Sequence, residues 1–219
     1  MKINKKLFII TAILTVLPML IGIIYWEQLP DMMATHWNMN NEVDGTMPKA
    51  MVVYGLPAIM LAVHLLCVFA HKIDPKHQNH SEKMLNLMMW ISPAVSILGN
   101  YTMYSIALGN NIDMSFTSTF FMGILFVIIG NYLPKCTPNY TIGIKLPWTL
   151  DNEDNWYKTH RFAGYVWMGA GLASIMCAFL GAANIMFVVL LIAAIVPTIY
   201  SYLLFRKQKK LDENNHSEK

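Results

Sequence analysis

Apolar and polar stretches alternate along the chain with a length typical of membrane-spanning helices. Six apolar segments are each long enough to cross a bilayer. The first follows Lys6 without a small-residue cleavage site, so we expect an uncleaved helix rather than a signal peptide. The pattern predicts an all-α integral membrane protein, a bundle of six transmembrane helices over approximately residues 7–25, 50–70, 84–107, 115–133, 162–181 and 184–204.

The composition and the position of the charges support a multi-pass membrane protein. The 219 residues are 55% hydrophobic and only 13% charged, against about 25% charged in average globular chains. With the amino terminus inside, every Lys and Arg except Lys49 falls in an inner segment. The positive-inside rule therefore predicts that both termini are cytoplasmic. Because the lysines flank helices, we expect no direct contact with nucleic acid.

Two long polar connections divide the chain into similar halves. A structured outer loop spans about residues 26–49, and a structured inner loop spans about residues 134–161. Each lies between the first and second helix of a three-helix half, which suggests an inverted repeat. We therefore predict an amino-terminal membrane module at 1–107, a second membrane module at 108–205 and a disordered cytoplasmic tail at 206–219.

The inner loop begins irregularly and ends as a helix. Three prolines and Gly143 exclude a regular helix from its first part. Thr149 or Asp151 can cap the helix that follows, and Trp156 and His160 recur on one face of it.

These residues also carry a resemblance. The stretches Asn139–Lys145 and Pro147–Leu150, with the Trp156 and His160 region, resemble the signature of the SdpI family of bacterial membrane proteins. That family's namesake gives immunity to a secreted peptide toxin. The resemblance implies an immunity protein of the bacterial plasma membrane that acts against a membrane-active peptide. In that family, immunity can be coupled to control of a cytoplasmic repressor. The alternative is a connector that only holds two helices. The candidate partner-binding or loop-shaping residues are Asn139, Tyr140, Gly143, Lys145, Pro147, Trp148, Thr149, Trp156, His160 and Arg161.

The outer loop resembles a small amino-terminal module that often precedes the SdpI signature. Asn41 stands where that module usually has glycine, and asparagine tolerates a left-handed backbone better than most residues. The loop has a net charge of −3, which can attract a cationic peptide, although a merely solvated loop fits equally well. The candidate outer-loop residues are Pro30, His36, Trp37, Asn38, Asp44 and Lys49.

The sequence carries no motif of a soluble or membrane enzyme class, such as a zinc-protease helix, a nucleophile elbow or a phosphate-binding loop. We predict no enzyme, no cofactor and no metal. Two sets of possible metal ligands are better explained as solvated polar turns: His71, Asp74, His77 and His80 inside, and Asp31, His36, Glu42 and Asp44 outside. The three cysteines, Cys67, Cys136 and Cys177, are expected to be free thiols.

Two alternatives come from other functional classes. A small permease or exporter needs a water-lined path, and ion coupling needs ionisable residues in the membrane. Only His64 lies clearly inside a predicted span, and no Asp or Glu does. A membrane-embedded enzyme would use His36 or His160 as acid or base.

Overall fold

The computed structural model describes residues 3–38, 40–76 and 81–217 and is predominantly helical. Its elements in chain order are α1 (Lys5–Ile24), β1 (Met32–Trp37), β2 (Val43–Pro48), α2 (Leu56–Ile73), α3 (Glu82–Ala107), α4 (Met114–Tyr132), α5 (Pro147–Asp151), α6 (Glu153–Phe179) and α7 (Met186–Ser217). A π-helical turn, Met51–Gly55, leads into α2. Single 3₁₀ turns occupy Trp26–Gln28, Leu133–Lys135 and Ala183–Ile185.

Five of these helical stretches are long and apolar enough to cross a membrane. They are Lys5–Ile24, Met51–Ile73, Met114–Lys135, Glu153–Phe179 and Ala183–Asn214. The sixth long helix, α3, is not among them, and its buried residues include the polar Ser92, Ser96 and Asn100. Ser96 donates a 2.7 Å hydrogen bond to the carbonyl of Thr15, and Asn100 donates one to Ser96. The predicted helical membrane class is confirmed, whereas a sixth span and the orientation of the termini stay predictions.

The first compact unit contains α1, the β-hairpin, α2, α3 and the start of α4. Its apolar core consists of Leu29, Met33, Val52, Val53 and Tyr104. The hydroxyl of Tyr104 also donates a 3.1 Å hydrogen bond to the carbonyl of Pro18 inside α1. The core thus joins the outer loop to the helices on either side of it.

The second unit contains residues 74–76 and the chain from Thr119 onward. Its helices α4 and α6 touch at two levels through glycines. A Cβ at Gly130 would lie 2.9 Å from the carbonyl oxygen of Gly164, and one at Gly171 would lie 2.6 Å from that of Gly123. Small residues at such crossings let membrane helices approach backbone to backbone. The predicted module boundary near residue 107 stays a prediction.

Two features differ from the expectations. The outer loop folds as an antiparallel β-hairpin, which an all-α chain would not contain. The expected disordered tail is also wrong over residues 206–217, because α7 continues to Ser217. This stretch has no glycine or proline, and Lys209 and Glu213 form an i,i+4 ion pair at 3.9 Å that favours the helix.

Candidate functional site

The inner loop turns around the buried side chain of Asn139. Its Oδ1 accepts hydrogen bonds from the backbone N–H groups of Thr141 at 2.8 Å and Ile142 at 2.6 Å. Its Nδ2 donates to the carbonyls of Thr137 at 2.7 Å and Ile142 at 3.0 Å. One amide therefore satisfies four backbone groups of a segment that no helix or sheet pairs. Asn139 shapes the loop and is not available to a partner.

Asp74, which directly follows α2, holds the same turn from outside. It is only 3% exposed. Its Oδ2 accepts from the backbone N–H of Tyr140 at 2.9 Å and from the Thr141 hydroxyl at 2.7 Å, and its Oδ1 accepts from the N–H of Lys76 at 2.8 Å. Hydrogen bonds to a carboxylate are roughly twice as strong as neutral ones. The sequence analysis missed this role because the partners are remote in the chain.

The middle of the loop lies against the first turns of α6. Gly143 has φ +122°, and a Cβ there would overlap Nε2 of His160 and lie 3.2 Å from ring carbons of Trp156. Both of these rings are fully buried and stack on each other with centroids 4.1 Å apart. The indole N–H of Trp156 donates a 2.8 Å hydrogen bond to the carbonyl of Cys136. Glycine is therefore required for both conformation and space.

The partners of His160 define its tautomer. Its Nδ1 lies 2.8 Å from the carbonyl of Trp156, so this nitrogen carries the proton. Its Nε2 accepts a 2.9 Å hydrogen bond from the backbone N–H of Ile144. Both nitrogens of the neutral ring are thus used within the protein, and the ring has no free position for acid–base chemistry.

Thr149 fixes the start of α5 from inside its first turn. The predicted cap of the helix that carries Trp156 and His160, Thr149 or Asp151, is wrong, because Asn152 caps α6 and its side chain accepts from the N–H of Asn155 at 2.8 Å. The Thr149 hydroxyl lies 2.8 Å from the carbonyl of Ile144 and 2.9 Å from that of Leu146, and it accepts from the N–H of Leu146 at 2.9 Å. Pro147 occupies the first position of α5, where a missing N–H costs nothing. Thr149 is fully buried, whereas Pro147 is exposed.

A buried polar network joins α5 and α6 to α7. Trp148 donates its indole N–H to the Ser201 hydroxyl at 2.8 Å. That hydroxyl donates to Oδ1 of Asn155 at 3.0 Å, and Nδ2 of Asn155 donates to the Ser201 carbonyl at 3.1 Å. Thr159 donates to the same Asn155 oxygen at 2.9 Å. The sequence analysis did not select Asn155, Thr159 or Ser201. They could have been selected from the sequence, because each is a polar residue in a helix that is otherwise largely apolar.

The other predicted inner-loop residues lie on the surface. Tyr140 is 47% exposed and has Nζ of Lys76 5.2 Å above its ring. Lys145 donates back to the carbonyls of Tyr140 and Thr141 at 3.2 and 3.1 Å. Arg161 is exposed and makes no hydrogen bond or ion pair within the described part of the chain.

Cys136 lies beneath this turn as a buried free thiol. Burial raises the pKa of the Cys136 thiol to about 11, against a smaller opposing effect of the hydrogen bond from Asn139. A thiol with such a pKa is neither a good nucleophile nor a good metal ligand at neutral pH. Cys136 is therefore a packing residue.

The hairpin organises most of the outer-loop candidates. Nδ1 of His36 contacts Oδ1 of Asp44 across the strands. The side chain of Asn38 accepts from the N–H groups of Asn40 at 2.9 Å and Glu42 at 3.0 Å, which closes the turn. Pro30 is exposed just before β1, and Trp37 ends that strand half-buried.

Asn41 and Lys49 connect the hairpin to its surroundings in the same unit. Asn41 has φ +64°, as expected for a residue in place of glycine, and its Oδ1 accepts from the N–H of Met114 at 2.9 Å at the start of α4. Nζ of Lys49 lies 3.1 Å from Oδ1 of Asp31 and 5.0 Å above the ring of Trp26. Asn41 and Lys49 thus anchor the hairpin within this unit.

Among residues 3–38, 40–76 and 81–217, no group of three His, Cys, Asp or Glu residues is arranged to hold a metal ion. His71 and Asp74 are buried. His77 and His80, the other members of the predicted inner cluster, lie outside the described residues.

Comparisons with known proteins identify both loops. Residues 135–201 match the model of the SdpI/YfhL protein family, and residues 13–61 match that of a domain of unknown function, DUF1648. The Immunity protein SdpI of Bacillus subtilis (strain 168) is 27% identical in an alignment 208 residues long that covers 91% of this chain and 96% of that protein. No solved structure matches significantly.

Each of the two matched segments contains most of one structured loop together with parts of the neighbouring helices. The first match contains the inner loop from Cys136 through α5 and α6, and the second contains the whole hairpin. The chain is thus a multi-pass bacterial membrane protein with an SdpI/YfhL segment behind a DUF1648 segment, and its predicted resemblance to the SdpI family is confirmed.

Proposed function

We propose that this chain is an immunity protein that protects the membrane holding it against a secreted, membrane-active peptide toxin. The observation that carries the proposal is the extent of the likeness to the Bacillus subtilis relative, whose name is Immunity protein SdpI. It covers 91% of this chain and 96% of that relative, so it includes the hairpin, the inner loop and the helices together. A likeness confined to one loop would support only a shared structural element.

We propose further that protection depends on the shape of the inner loop. The polar groups of Asn139, Trp156 and His160 are all buried and hydrogen-bonded to the backbone of the loop. Only the exposed side chains can then meet a partner. Tyr140 and Pro147, which are both exposed, are our candidate contacts for a cytoplasmic repressor, in the orientation that the positive-inside rule predicts.

In the same predicted orientation the hairpin faces the outside, and it is the proposed first contact for the toxin. The outer loop keeps a net charge of −3, and Glu42 and Asp44, two of its acidic residues, are exposed. A negative surface of this kind raises the local concentration of a cationic peptide. Neutralising Glu42 and Asp44 together should therefore weaken protection most at low ionic strength.

The test is survival of a sensitive bacterium. Cells that express this chain and cells with an empty vector are titrated with the secreted peptide toxin that the SdpI family resists, after membrane insertion has been verified. The proposal expects an inhibitory concentration several-fold higher with the chain. Equal inhibitory concentrations would contradict it.

A second experiment on the same protein distinguishes immunity from the alternative function, that of a small permease or exporter. Purified protein in liposomes is assayed for release of small trapped solutes, without toxin. Solute release together with an absence of protection would favour the permease. Protection with tight liposomes favours immunity.

A further inference from the structure

A groove in the second unit lies beside the inner loop. Its polar and cationic side chains have no role in the structure of the loop or in the proposed immunity function. Its volume is about 480 Å³, and it runs between the end of α4 and the first turns of α6. It is lined chiefly by Asn131, Pro134, Lys135, Tyr157, Arg161 and Tyr165. Two of these residues are cations, and none is acidic.

Helical spacing brings these side chains to one place. Tyr157, Arg161 and Tyr165 follow one another at four-residue intervals on α6, so they share a face. Asn131 and Lys135 have the same spacing at the end of α4 and its 3₁₀ turn. Two helix faces thus present a guanidinium, an ammonium, an amide and two phenols to one groove.

The charges in the groove are not neutralised within the described part of the chain. Arg161 has no hydrogen bond or ion pair there. Nζ of Lys135 lies 4.6 Å above the ring of Tyr132, a contact that leaves the ammonium hydrogens free to bind an anion. A planar guanidinium with a neighbouring ammonium suits the oxygens of a phosphate group.

The position of the groove points to a lipid as the source of that phosphate. Lys135 is the last residue of the apolar stretch Met114–Lys135, so it marks the membrane boundary. Deeper along α6, the groove continues past Tyr165 to Met168, which offers an apolar wall to an acyl chain. Tyrosines at this level are typical of the headgroup region, and the inner leaflet is anionic.

We propose that this groove binds the phosphate headgroup of an anionic phospholipid of the inner leaflet, with Arg161 and Lys135 as its two cationic contacts. The site goes beyond the proposed immunity function and does not rest on it. It also gives Arg161, an exposed residue of the family segment, a role that the loop geometry does not supply.

The full chain is purified in a neutral detergent and titrated with phosphatidylglycerol or with phosphatidylcholine of identical acyl chains. Bound lipid is counted by native mass spectrometry. We expect at least about a tenfold preference for phosphatidylglycerol, since only the anionic lipid gains from both cations. Arg161→Ala and Lys135→Ala should each remove most of this preference, whereas Arg161→Lys should retain part of it.

Lys207→Ala is the matched control because Lys207 is an exposed lysine of α7 that does not line the groove. Inorganic phosphate at the same concentration should not displace the lipid, and displacement would overturn the proposal in favour of a soluble anion. Equal binding of the two lipids, or an unchanged preference in Arg161→Ala and Lys135→Ala, would also overturn it. If Arg161→Ala does not fold, Lys135→Ala and Arg161→Lys decide the outcome.

Discussion

Nε2 of His160 accepts a hydrogen bond at 2.9 Å from the backbone N–H of Ile144, sixteen positions earlier in the chain. This bond fixes the loop to the helix that follows it, and a fully buried imidazole makes it. The histidine is therefore a structural acceptor. His160 lies inside the segment that matches the SdpI/YfhL family, so the sequence pattern suggested a binding residue. In the structure its ring instead supports the loop.

The first prediction concerns this imidazole. His160→Ala removes the acceptor for Ile144 and the stacking partner of Trp156. We expect a loss of about 2–4 kcal/mol in the free energy of unfolding, from a buried cavity and an unsatisfied N–H. Unfolding of the detergent-solubilised protein measures it. Lys158→Ala, which breaks an exposed ion pair two residues away, should cost under about 0.5 kcal/mol.

The second prediction compares two glycines. Gly143→Ala places a Cβ at a positive φ and against His160, so we expect a loss of about 1–3 kcal/mol. Gly169→Ala makes the same chemical change in α6, where a Cβ would have open space. It should be neutral or stabilise by about 0.5–1 kcal/mol. Equal effects of the two substitutions on thermal unfolding would refute the account of the loop.

The third prediction uses the reactivity of the Cys136 thiol to measure how well the folded loop buries it. With a pKa of about 11, roughly one Cys136 thiol in a thousand is ionised at pH 8. In a Cys67→Ser, Cys177→Ser background, iodoacetamide should modify native Cys136 at least about tenfold more slowly than the denatured chain. His160→Ala should raise the native rate. Rapid modification of the native protein, followed by mass spectrometry, would show that the thiol is not buried.

The fourth prediction separates the two roles of Asn41. Asn41→Gly keeps the left-handed backbone but loses the cap on α4, whereas Asn41→Ala loses both. We expect stability to fall in the order wild type, Asn41→Gly, Asn41→Ala, with steps of about 1 kcal/mol. Asn40→Ala, at the exposed neighbouring position, is the control. A more stable Asn41→Gly would mean that the cap contributes little.

Sequence patterns predicted the helical membrane class and both loops because hydropathy and family motifs are local properties. The number of spans stays a prediction, since α3 carries buried polar residues such as Ser96 and Asn100 and is not among the five described stretches that are apolar enough to cross a membrane. The hairpin was missed because its strands have only six residues each and do not alternate clearly between buried and exposed positions, and β2 is almost entirely exposed.

Within the inner loop, the sequence indicated which residues matter but did not distinguish buried residues that shape the loop from exposed residues that can contact a partner. Asn139 and Trp156 proved to be buried, and Arg161 proved to be exposed. Asp74 and Ser201 were missed because their contacts, at 2.7–2.9 Å to the loop and 2.8 Å to Trp148, join segments far apart in the chain. No short window of sequence contains both partners.

The central claim is that protection depends on the shape of the inner loop. The most direct measurement is the toxin concentration that halves growth of sensitive cells expressing Gly143→Ala or Gly169→Ala, at equal amounts in the membrane. The account predicts that Gly169→Ala protects like the wild type while Gly143→Ala protects several-fold less. Equal protection by the two variants, both folded and inserted, would contradict it.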